Sequence, residues 1–347
     1  MRQITFLNQW LDNVSGVRVE SLGTCGGLSG AVFWRVLLPE RVYCLRRWPK
    51  EHPTAHGLTA IHGLLQHVAQ AGFHVAPVPL RTKTGKTFFV HQGRLWELAP
   101  WMRGEASYRE QPRPARLQAS MHALARLHKA ARSYQPRGIP APMGISPGLQ
   151  RRLQRLRCLQ HGELDELRQA ARTAKASRLR EVAFDLLAGI ERSLERVTQN
   201  LEPIVETRLP LQWCLRDVRH DHILFQQDRV SGLIDFGAAA VDSVAGDLAR
   251  LLGSMVDDDS DRWQAGVDAY GQLRPLAASE RRAIARFDTS GVLGSAANWV
   301  HWLFVQRRRF PQIEAVQNRM LWLRQRLCVL ARRNGASVFE SSSKGVQ

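Results

Sequence analysis

Short runs of alternating apolar and polar residues fill the first hundred positions, whereas most of the chain after residue 112 repeats apolar residues every three or four positions. The first pattern predicts β-strands and the second predicts α-helices. The predicted strands span residues 17–22, 31–38, 41–47, 87–91 and 94–98. We therefore expect an α+β protein in which a smaller β-rich part precedes a larger, mainly helical part.

The helical periodicity also gives approximate bounds for each helix. Helices are predicted at 54–70, 113–133, 147–172, 178–200, 246–256, 261–272, 279–287, 290–308 and 313–333. Apolar residues in the last of these form one stripe, made of Val316, Met320, Leu323, Leu327 and Leu330. Packing of this stripe in the protein's own core is favoured over a dimer seam, because so short a stripe does not define a coiled coil.

One stretch of the later part is rich in strand-forming residues, namely 211–237, LQWCLRDVRHDHILFQQDRVSGLIDFG. An apolar run leads into Arg216-Asp217, and a strand pair that turns near Asp228 leads to Asp235. The predicted hairpin presents the carboxylates of Asp217 and Asp235 from loops at one end. Phosphoryl transfer uses two such acids, one to accept a hydrogen bond from the attacking hydroxyl and one to hold Mg²⁺ on the nucleotide phosphates.

This stretch resembles the catalytic and metal-binding loops of the aminoglycoside phosphotransferase family, relatives of choline kinases and protein kinases. The resemblance covers residues 15–335 and implies a two-lobed protein-kinase-like fold. It implies ATP as the phosphate donor, Mg²⁺ as the metal ion and a small hydroxylated molecule as the acceptor. The implied parts are a nucleotide-binding lobe at 1–98, a helical lobe at 99–336 that contains the 211–237 hairpin, and a flexible tail at 337–347.

The same resemblance assigns roles to residues of the hairpin. Asp217 corresponds to the family's catalytic Asp, and Arg216 beside it, a second candidate catalytic residue, stands where these enzymes commonly have Gly. Asp235 corresponds to the metal-binding Asp, and His222 stands where the family has a metal-binding Asn. Because imidazole suits softer divalent ions better than Mg²⁺, His222 shifts the expected metal ion toward Mn²⁺.

Three further segments resemble the nucleotide site of the family. Gly23, Gly26 and Gly27 lie between two predicted strands, where glycine lets the backbone approach phosphate oxygens, although a plain turn is the alternative. Arg46, by alternation with Cys44, occupies the position of the basic residue that contacts the phosphates. Leu98 and Ala99 lead into a Pro- and Gly-containing hinge at 99–105, and their backbone groups are implied to bind the adenine edge.

Two features leave other functions open. Kinases orient the phosphate-binding base with a Glu on the next helix, but residues 54–70 contain no acid, and only Glu51 precedes them. Together with His222, this supports the alternative of a catalytically inactive pseudokinase that binds a nucleotide or a partner. The run His220-Asp221-His222 with Asp235 gives a further alternative, a zinc hydrolase site.

An acidic cluster follows the helical run 246–256. Asp257 and Asp258 lie in the region near the acceptor pocket of relatives, and they are candidates for holding a cationic acceptor. The alternative is that these acids cap the helix that starts near Trp263.

Composition narrows the setting of the protein. Apolar residues make up 44% of the 347 residues, and no run reaches the roughly 18 apolar residues that a membrane helix needs. Five scattered cysteines favour neither disulfides nor a zinc site, so we expect a cytoplasmic protein. The net charge of +18 leaves an RNA- or polyanion-binding protein as a third alternative. The acceptor and the oligomeric state stay open.

Overall fold

The structure is a computed structural model of the chain, and it describes residues 6–24, 30–135, 143–310 and 312–333. The chain packs as two compact units. The first comprises Met1–Arg137 and Asp221–Ala239, and the second comprises Gly138–His220 and Ala240–Gln347. The lobe boundary predicted between residues 98 and 99 stays a prediction, and the predicted tail at 337–347 lies outside the described residues.

The first unit is built on an antiparallel sheet of five strands. These are β1 (Arg18–Gly23), β2 (Val32–Leu37), β3 (Val42–Arg47), β4 (Phe89–His91) and β5 (Arg94–Pro100). Their order across the sheet is β1-β2-β3-β5-β4, and each of them was predicted. Gln92 and Gly93 join the last two strands with φ angles of 50° and 67°, as tight hairpin turns require.

The apolar core of this unit lies against one side of the sheet, because alternate side chains of a strand point the same way. Val36 and Leu45 are fully buried there. Trp34 stacks on Trp96 with ring centroids 5.3 Å apart. This packing fixes the register of β3, and it turns Arg46 toward the opposite side.

Helix α1 (Ala55–Gln70) has the ends that its sequence predicts. Thr54 caps the N-terminus by accepting a hydrogen bond of 3.1 Å from the backbone N–H of Gly57. Gly72 follows the last turn with φ at 88°, a conformation that is easy only for glycine. The buried side of the helix contains one polar side chain, that of His62.

The predicted hairpin is present as β9 (Ile223–Gln226) and β10 (Arg229–Leu233), and it belongs to the first unit. The backbone of Glu105 exchanges two hydrogen bonds with Phe225, of 3.1 and 2.9 Å. Leu233 donates its N–H to the carbonyl oxygen of Val75 at 2.7 Å. Helix α2 (Pro114–Ala131) packs against β10. These contacts fix the direction in which β10 leads to Asp235.

The second unit is mainly helical. Its helices are α3 (Pro147–Cys158), α4 (Leu164–Thr173), α5 (Arg178–Val205), α6 (Val244–Val256), α7 (Ser260–Leu273), α8 (Ala278–Val300) and α9 (Ile313–Arg332). Two short antiparallel pairs join β6 (Met143–Ile145) to β7 (Arg208–Pro210) and β8 (Gln212–Cys214) to β11 (Ala240–Asp242). Strands of three residues show no periodicity, so β6, β7 and β11 were not predicted.

The continuous helix predicted at 147–172 is wrong in one respect. A π-helical segment, Leu159–Glu163, separates α3 from α4. Gly162 has a φ of 109° within it, which interrupts the regular helix.

The break predicted between helices at 279–287 and 290–308 is also wrong, because α8 runs through it and is followed by a π-helical segment at His301–Val305. The predicted break fell in the polar run 288–290. In the structure its two hydroxyl groups donate to backbone carbonyl oxygens four residues earlier. Asp288, the acid of the run, pairs with Arg326. Every polar side chain of the run therefore has a partner, and the helix continues.

The apolar stripe of α9 lies in the core of the second unit. Its five residues are buried, and α9 packs against α5 and α8. The favoured alternative of the sequence analysis, packing within the chain's own core, is confirmed for this stripe.

A buried arginine crosses this core. Arg326 on α9 is 3% exposed and donates two hydrogen bonds of 2.9 Å to the carboxylate of Asp288. It also donates to Asp258 at 2.8 Å and to the carbonyl oxygen of Gly253 at 3.2 Å. One guanidinium group thus joins α6, α8 and α9.

Across the described residues, we find no helix long and apolar enough to cross a membrane.

Replacing Arg326 with Met should lower the free energy of unfolding by about 3–5 kcal/mol, because Asp288 would remain buried without its cation. Urea denaturation followed by circular dichroism measures the loss. The matched control is Arg324→Met on the same helix, which removes an exposed pair with Asp185 and should cost at most about 1 kcal/mol. Equal losses in the two variants would contradict the structural role of Arg326.

Candidate active site

In the first unit, Arg46 and Asp235 meet. Arg46 Nη2 lies 3.4 Å from Asp235 Oδ1, and the Arg46 side chain is only 12% exposed. The Trp48 ring holds the guanidinium from one side, with its centroid 3.3 Å from Arg46 Cζ. Arg47, by contrast, lies over the rings of Trp34 and Trp96. The alternation along β3 thus selected the arginine that faces the predicted metal-binding acid.

The loop after β10 holds Asp235 in a tight conformation. Asp235 has a φ of 63°, in the left-handed region that residues other than glycine seldom adopt. A Cβ atom on Gly237 would lie 2.9 Å from the Trp48 ring, so only glycine fits between the loop and that ring. Backbone strain of this kind is concentrated at functional sites. The sequence Asp235-Phe236-Gly237 therefore fixes the direction of one carboxylate.

His222 ends a short 3-10 segment and faces the same carboxylate. Its Nε2 lies 3.8 Å from Asp235 Oδ2. This separation is too long for a hydrogen bond, but it suits two ligands of one divalent ion, each about 2.0–2.2 Å from it. His222 Nδ1 is buried and has no hydrogen-bond partner among the described residues. A carboxylate oxygen with an imidazole nitrogen fits Mn²⁺ better than Mg²⁺.

A buried acid lies on the strand next to Arg46, whereas helix α1 has no acid. Glu97 on β5 lies opposite Arg46 in the strand register. It is 8% exposed and accepts hydrogen bonds from Trp48 Nε1 at 2.9 Å and from His62 Nε2 at 2.8 Å. Glu51, the acid that precedes the helix, is exposed. The residue of helix α1 that contacts Glu97 is the histidine His62.

This environment keeps Glu97 ionised. Burial acts to raise the pKa of Glu97, but the interaction with His62, the positive charge of Arg46 and the hydrogen bond from Trp48 outweigh it, so the pKa lies below its usual value. Sequence reasoning missed Glu97 and His62. The available signal was a charged residue within the apolar run of β5, which in a buried strand requires a partner.

Other nucleotide-site candidates are less defined by the structure. Gly23 ends β1 with a φ of 60°, whereas Gly26 and Gly27 lie outside the described residues. Leu98 and Ala99 lie within β5, since the strand runs through Pro100 into the predicted hinge. The carbonyl oxygen of Leu98 accepts a hydrogen bond from Leu80 N–H at 2.8 Å. Binding of adenine by Leu98 and Ala99 stays a prediction.

In the second unit, Asp217 follows β8 and is held by an arginine of α6. Arg250 Nε donates to Asp217 Oδ1 at 2.9 Å, and Arg250 Nη2 contacts the same oxygen. The carboxylate is still 45% exposed, which leaves it accessible. Arg216, beside it, has a φ of 65°, and its Nε lies 3.8 Å from Asp242 Oδ2. Arg250 was not among the predicted site residues.

A buried carboxylate fixes the backbone that presents Asp217. Asp247 on α6 is fully buried. One of its oxygens accepts the N–H of Leu215 at 2.7 Å, and the other accepts the N–H of Arg216 at 2.6 Å. Ser254, two turns further along α6, accepts the N–H of His220 at 2.9 Å. Helix α6 therefore holds both ends of this loop, and sequence reasoning missed the acid responsible.

The acidic cluster after α6 is engaged within the second unit. Trp322 Nε1 donates to Asp257 at 2.5 Å, and Asp258 accepts from Arg326. Asp259 caps α7 by accepting the N–H of Arg262 at 3.0 Å. Burial raises the pKa of Asp258 to about 6, although Arg326 opposes the shift. The helix cap is therefore Asp259, not Asp257 or Asp258, and the role of Asp257 and Asp258 in holding a cationic acceptor stays a prediction.

Comparisons with known proteins agree with this arrangement. A model of the phosphotransferase enzyme family matches residues 25–285. The chain is 33% identical to a homoserine kinase of Methylocella silvestris over 107 residues, which are 29% of this chain and 33% of that protein. It is 25% identical to a homoserine kinase of Bradyrhizobium diazoefficiens over 226 residues, 64% of this chain and 61% of that protein. The chain thus spans less than two thirds of these relatives' length.

The fold is similar to that of a solved phosphotransferase. The crystal structure of a spectinomycin phosphotransferase in complex with ADP and spectinomycin superposes with a TM-score of 0.67. The match covers 94% of this chain and 97% of that one at 10% sequence identity. Such a likeness shows a common fold. The predicted fold class, α+β and protein-kinase-like, is confirmed.

Replacing Asp247 with Asn should loosen the loop before Asp217. The amide nitrogen of Asn cannot accept the backbone N–H that one Asp247 oxygen now accepts, so the exchange of the Leu215 and Arg216 amides should speed up roughly tenfold or more. Hydrogen–deuterium exchange with mass spectrometry reports on this segment. Asp268→Asn, at an exposed acid on α7, is the control. Unchanged protection in Asp247→Asn would refute the anchoring role.

Proposed function

Because the chain belongs to the phosphotransferase enzyme family, we propose that it is a kinase that transfers the γ-phosphate of ATP to a hydroxyl group of a small molecule. The observation that carries the proposal is the contact of Arg46 with Asp235. A phosphate-binding cation and a metal-binding acid from distant parts of the sequence lie side by side. In phosphoryl transfer the cation contacts the nucleotide phosphates and the acid holds the metal ion on them, so the two groups are expected to lie near one another.

The first unit would bind the nucleotide. Arg46 has its guanidinium plane fixed by Trp48 and offers N–H donors to phosphate oxygens. Asp235 and His222 would hold Mg²⁺ or Mn²⁺, which supplies neutralisation of the phosphate charge. The contact of Arg46 with Asp235 keeps both groups in place before the nucleotide arrives.

We also propose that the protein is cytoplasmic, because ATP is available in the cytoplasm.

The second unit would supply the residue that acts on the acceptor. Asp217 is accessible, and its backbone is fixed through Asp247, so its carboxylate can accept a hydrogen bond from a hydroxyl group and align it for attack. Arg250 holds the other side of this carboxylate and keeps one orientation. The backbone N–H of Arg216 holds the loop through its bond to Asp247, and a catalytic role of the Arg216 side chain stays a prediction.

The pseudokinase alternative is weakened by Glu97. The sequence argument for it was the absence of an acid in α1, and Glu97 with His62 supplies that acid from β5. His222 is the remaining argument, and it favours a change of metal ion as well as a loss of activity. Phosphate transfer that depends on Mn²⁺ would separate the two.

The relatives suggest where to look for the acceptor. The curated relatives act on homoserine by their names, an amino acid with a terminal hydroxyl group. This chain matches only part of their length, so homoserine is a starting compound for a screen of small hydroxylated amino acids and hydroxy acids.

The variant Asp217→Asn should lose about 10² to 10⁴ in turnover, because an amide cannot serve as the base or fix the hydroxyl proton in the same way. Binding of an ATP analogue should be unchanged. Turnover is measured on the best acceptor of the screen, beginning with L-homoserine. Asp228→Asn is the control, since this acid lies at the turn of the β9–β10 hairpin and pairs with Arg116. Wild-type turnover in Asp217→Asn would remove Asp217 from the mechanism.

A further inference from the structure

A basic cavity of about 260 Å³ opens among α3, α6 and α8 in the second unit. Its lining contains more arginine than any other charged residue type, against the two carboxylates of Asp242 and Asp247. The arginines are Arg151, Arg152, Arg155, Arg216 and Arg250. Ser290, Ser295 and Asn298 add neutral hydrogen-bonding groups from α8. The cavity therefore offers many donors to a ligand and few acceptors.

Both carboxylates of the lining already have partners. Both carboxylate oxygens of Asp247 accept hydrogen bonds from backbone N–H groups. Asp242 accepts from Ser146 Oγ at 2.5 Å and from the N–H of Ser243 at 2.9 Å, and it lies 3.4 Å from Arg151 Nη2. Neither acid is available to a cationic ligand, so the cavity is suited to an anion.

Arg152 is the exception among the paired arginines. Arg155 contacts Glu163, and Arg250 contacts Asp217, but Arg152 forms no ion pair with any residue that the structure describes. Burial and the positive charge of Arg250 lower the pKa of Arg152 to about 10. At neutral pH it remains a cation, and although Asp242 and Asp288 act to raise its pKa, no residue that the structure describes places a negative charge in an ion pair with it. An anionic ligand would supply that charge.

The space around Arg152 is kept open by small residues. Its Cζ lies 5.1 Å from the centroid of the Phe287 ring, which supports one face of the guanidinium. A Cβ atom on Gly291 would lie 2.6 Å from Arg152 Nη1, so a larger residue there would displace the group. The guanidinium is thus supported on its face, while its N–H edge remains the part that can bind a ligand.

We propose that this cavity binds the anionic group of the acceptor substrate, a carboxylate or a phosphate, with Arg152 as the principal ligand. Arg250 lines the cavity and also contacts Asp217, so a bound anion and the acid that aligns the hydroxyl share one residue. The acceptor is then an anionic alcohol, such as a hydroxy acid or a phosphorylated polyol. This inference rests on the proposed function for the role of Asp217, although the anion site itself is defined by the cavity alone.

The test uses three alcohols that share a carbon chain and differ in charge, namely glycerol 3-phosphate, D-glycerate and glycerol. Each is titrated calorimetrically into the full-length protein without nucleotide. We expect at least one of the anionic alcohols to bind and glycerol not to bind. Arg152→Gln should weaken the binding roughly tenfold to hundredfold, because it removes a charge-assisted hydrogen bond. Comparison of the affinities for glycerol 3-phosphate and D-glycerate identifies whether the cavity binds a phosphate or a carboxylate.

Two control variants locate the binding site. Arg157→Gln changes an arginine of the same helix that pairs with Glu202 outside the cavity, and it should bind as the wild type does. Arg46→Gln, in the first unit, should also retain binding. If the anionic alcohol binds more weakly to Arg46→Gln and as tightly as before to Arg152→Gln, the anion binds at the nucleotide site. That result would overturn the proposal.

Equal binding of glycerol and the anionic alcohols, or binding of none of them, would likewise overturn it. Failure of the proposed function gives a different result. In that case the anionic alcohol binds and depends on Arg152, but no phosphate is transferred to it from ATP.

Discussion

A buried carboxylate must have its hydrogen-bonding capacity met, and this requirement fixes the candidate active site. In the second unit, Asp247 meets it by accepting two backbone N–H groups immediately before Asp217. In the first unit, Glu97 meets it with the side chains of His62 and Trp48, and the Trp48 ring then packs against Arg46. Each acid accepts two hydrogen bonds from groups that are distant in sequence or that precede a site residue. The order of Arg46 and Asp217 thus depends on acids that were not among the predicted site residues.

The same requirement applies to the arginines that give the chain its large positive charge. The net charge of +18 indicates only a general attraction for anions. Within the structure, the buried guanidinium of Arg326 forms ion pairs with Asp258 and Asp288. These pairs offset the free-energy cost of burying its charge. Arg152 forms no ion pair in the described part of the chain, and it lines a cavity together with Arg250. The excess of positive charge in the composition therefore includes one local site, the cavity at Arg152, that suits an anionic ligand.

Sequence pattern predicted what depends on neighbours along the chain. The strands of the first unit follow from alternation, and the acids Asp217 and Asp235 from a motif with specific spacing. The partners Glu97 and Asp247 were not predicted, because each is a single acid in an apolar segment and its partners are distant in sequence. The break within α8 was predicted wrongly for the same reason, since the partner of Asp288 lies on another helix. Short-range periodicity contains no information on such pairings.

The central claim is that Arg46 and Asp235 form a working nucleotide site, and calorimetric titration with a non-hydrolysable ATP analogue tests it most directly. The titration is done with Mg²⁺, with Mn²⁺ and without metal, for the wild type and for Asp235→Asn. The account predicts binding that a divalent ion strengthens, more so with Mn²⁺, and that loses its metal dependence in Asp235→Asn. Absence of binding under every condition, or metal-dependent binding that Asp235→Asn leaves intact, would contradict it.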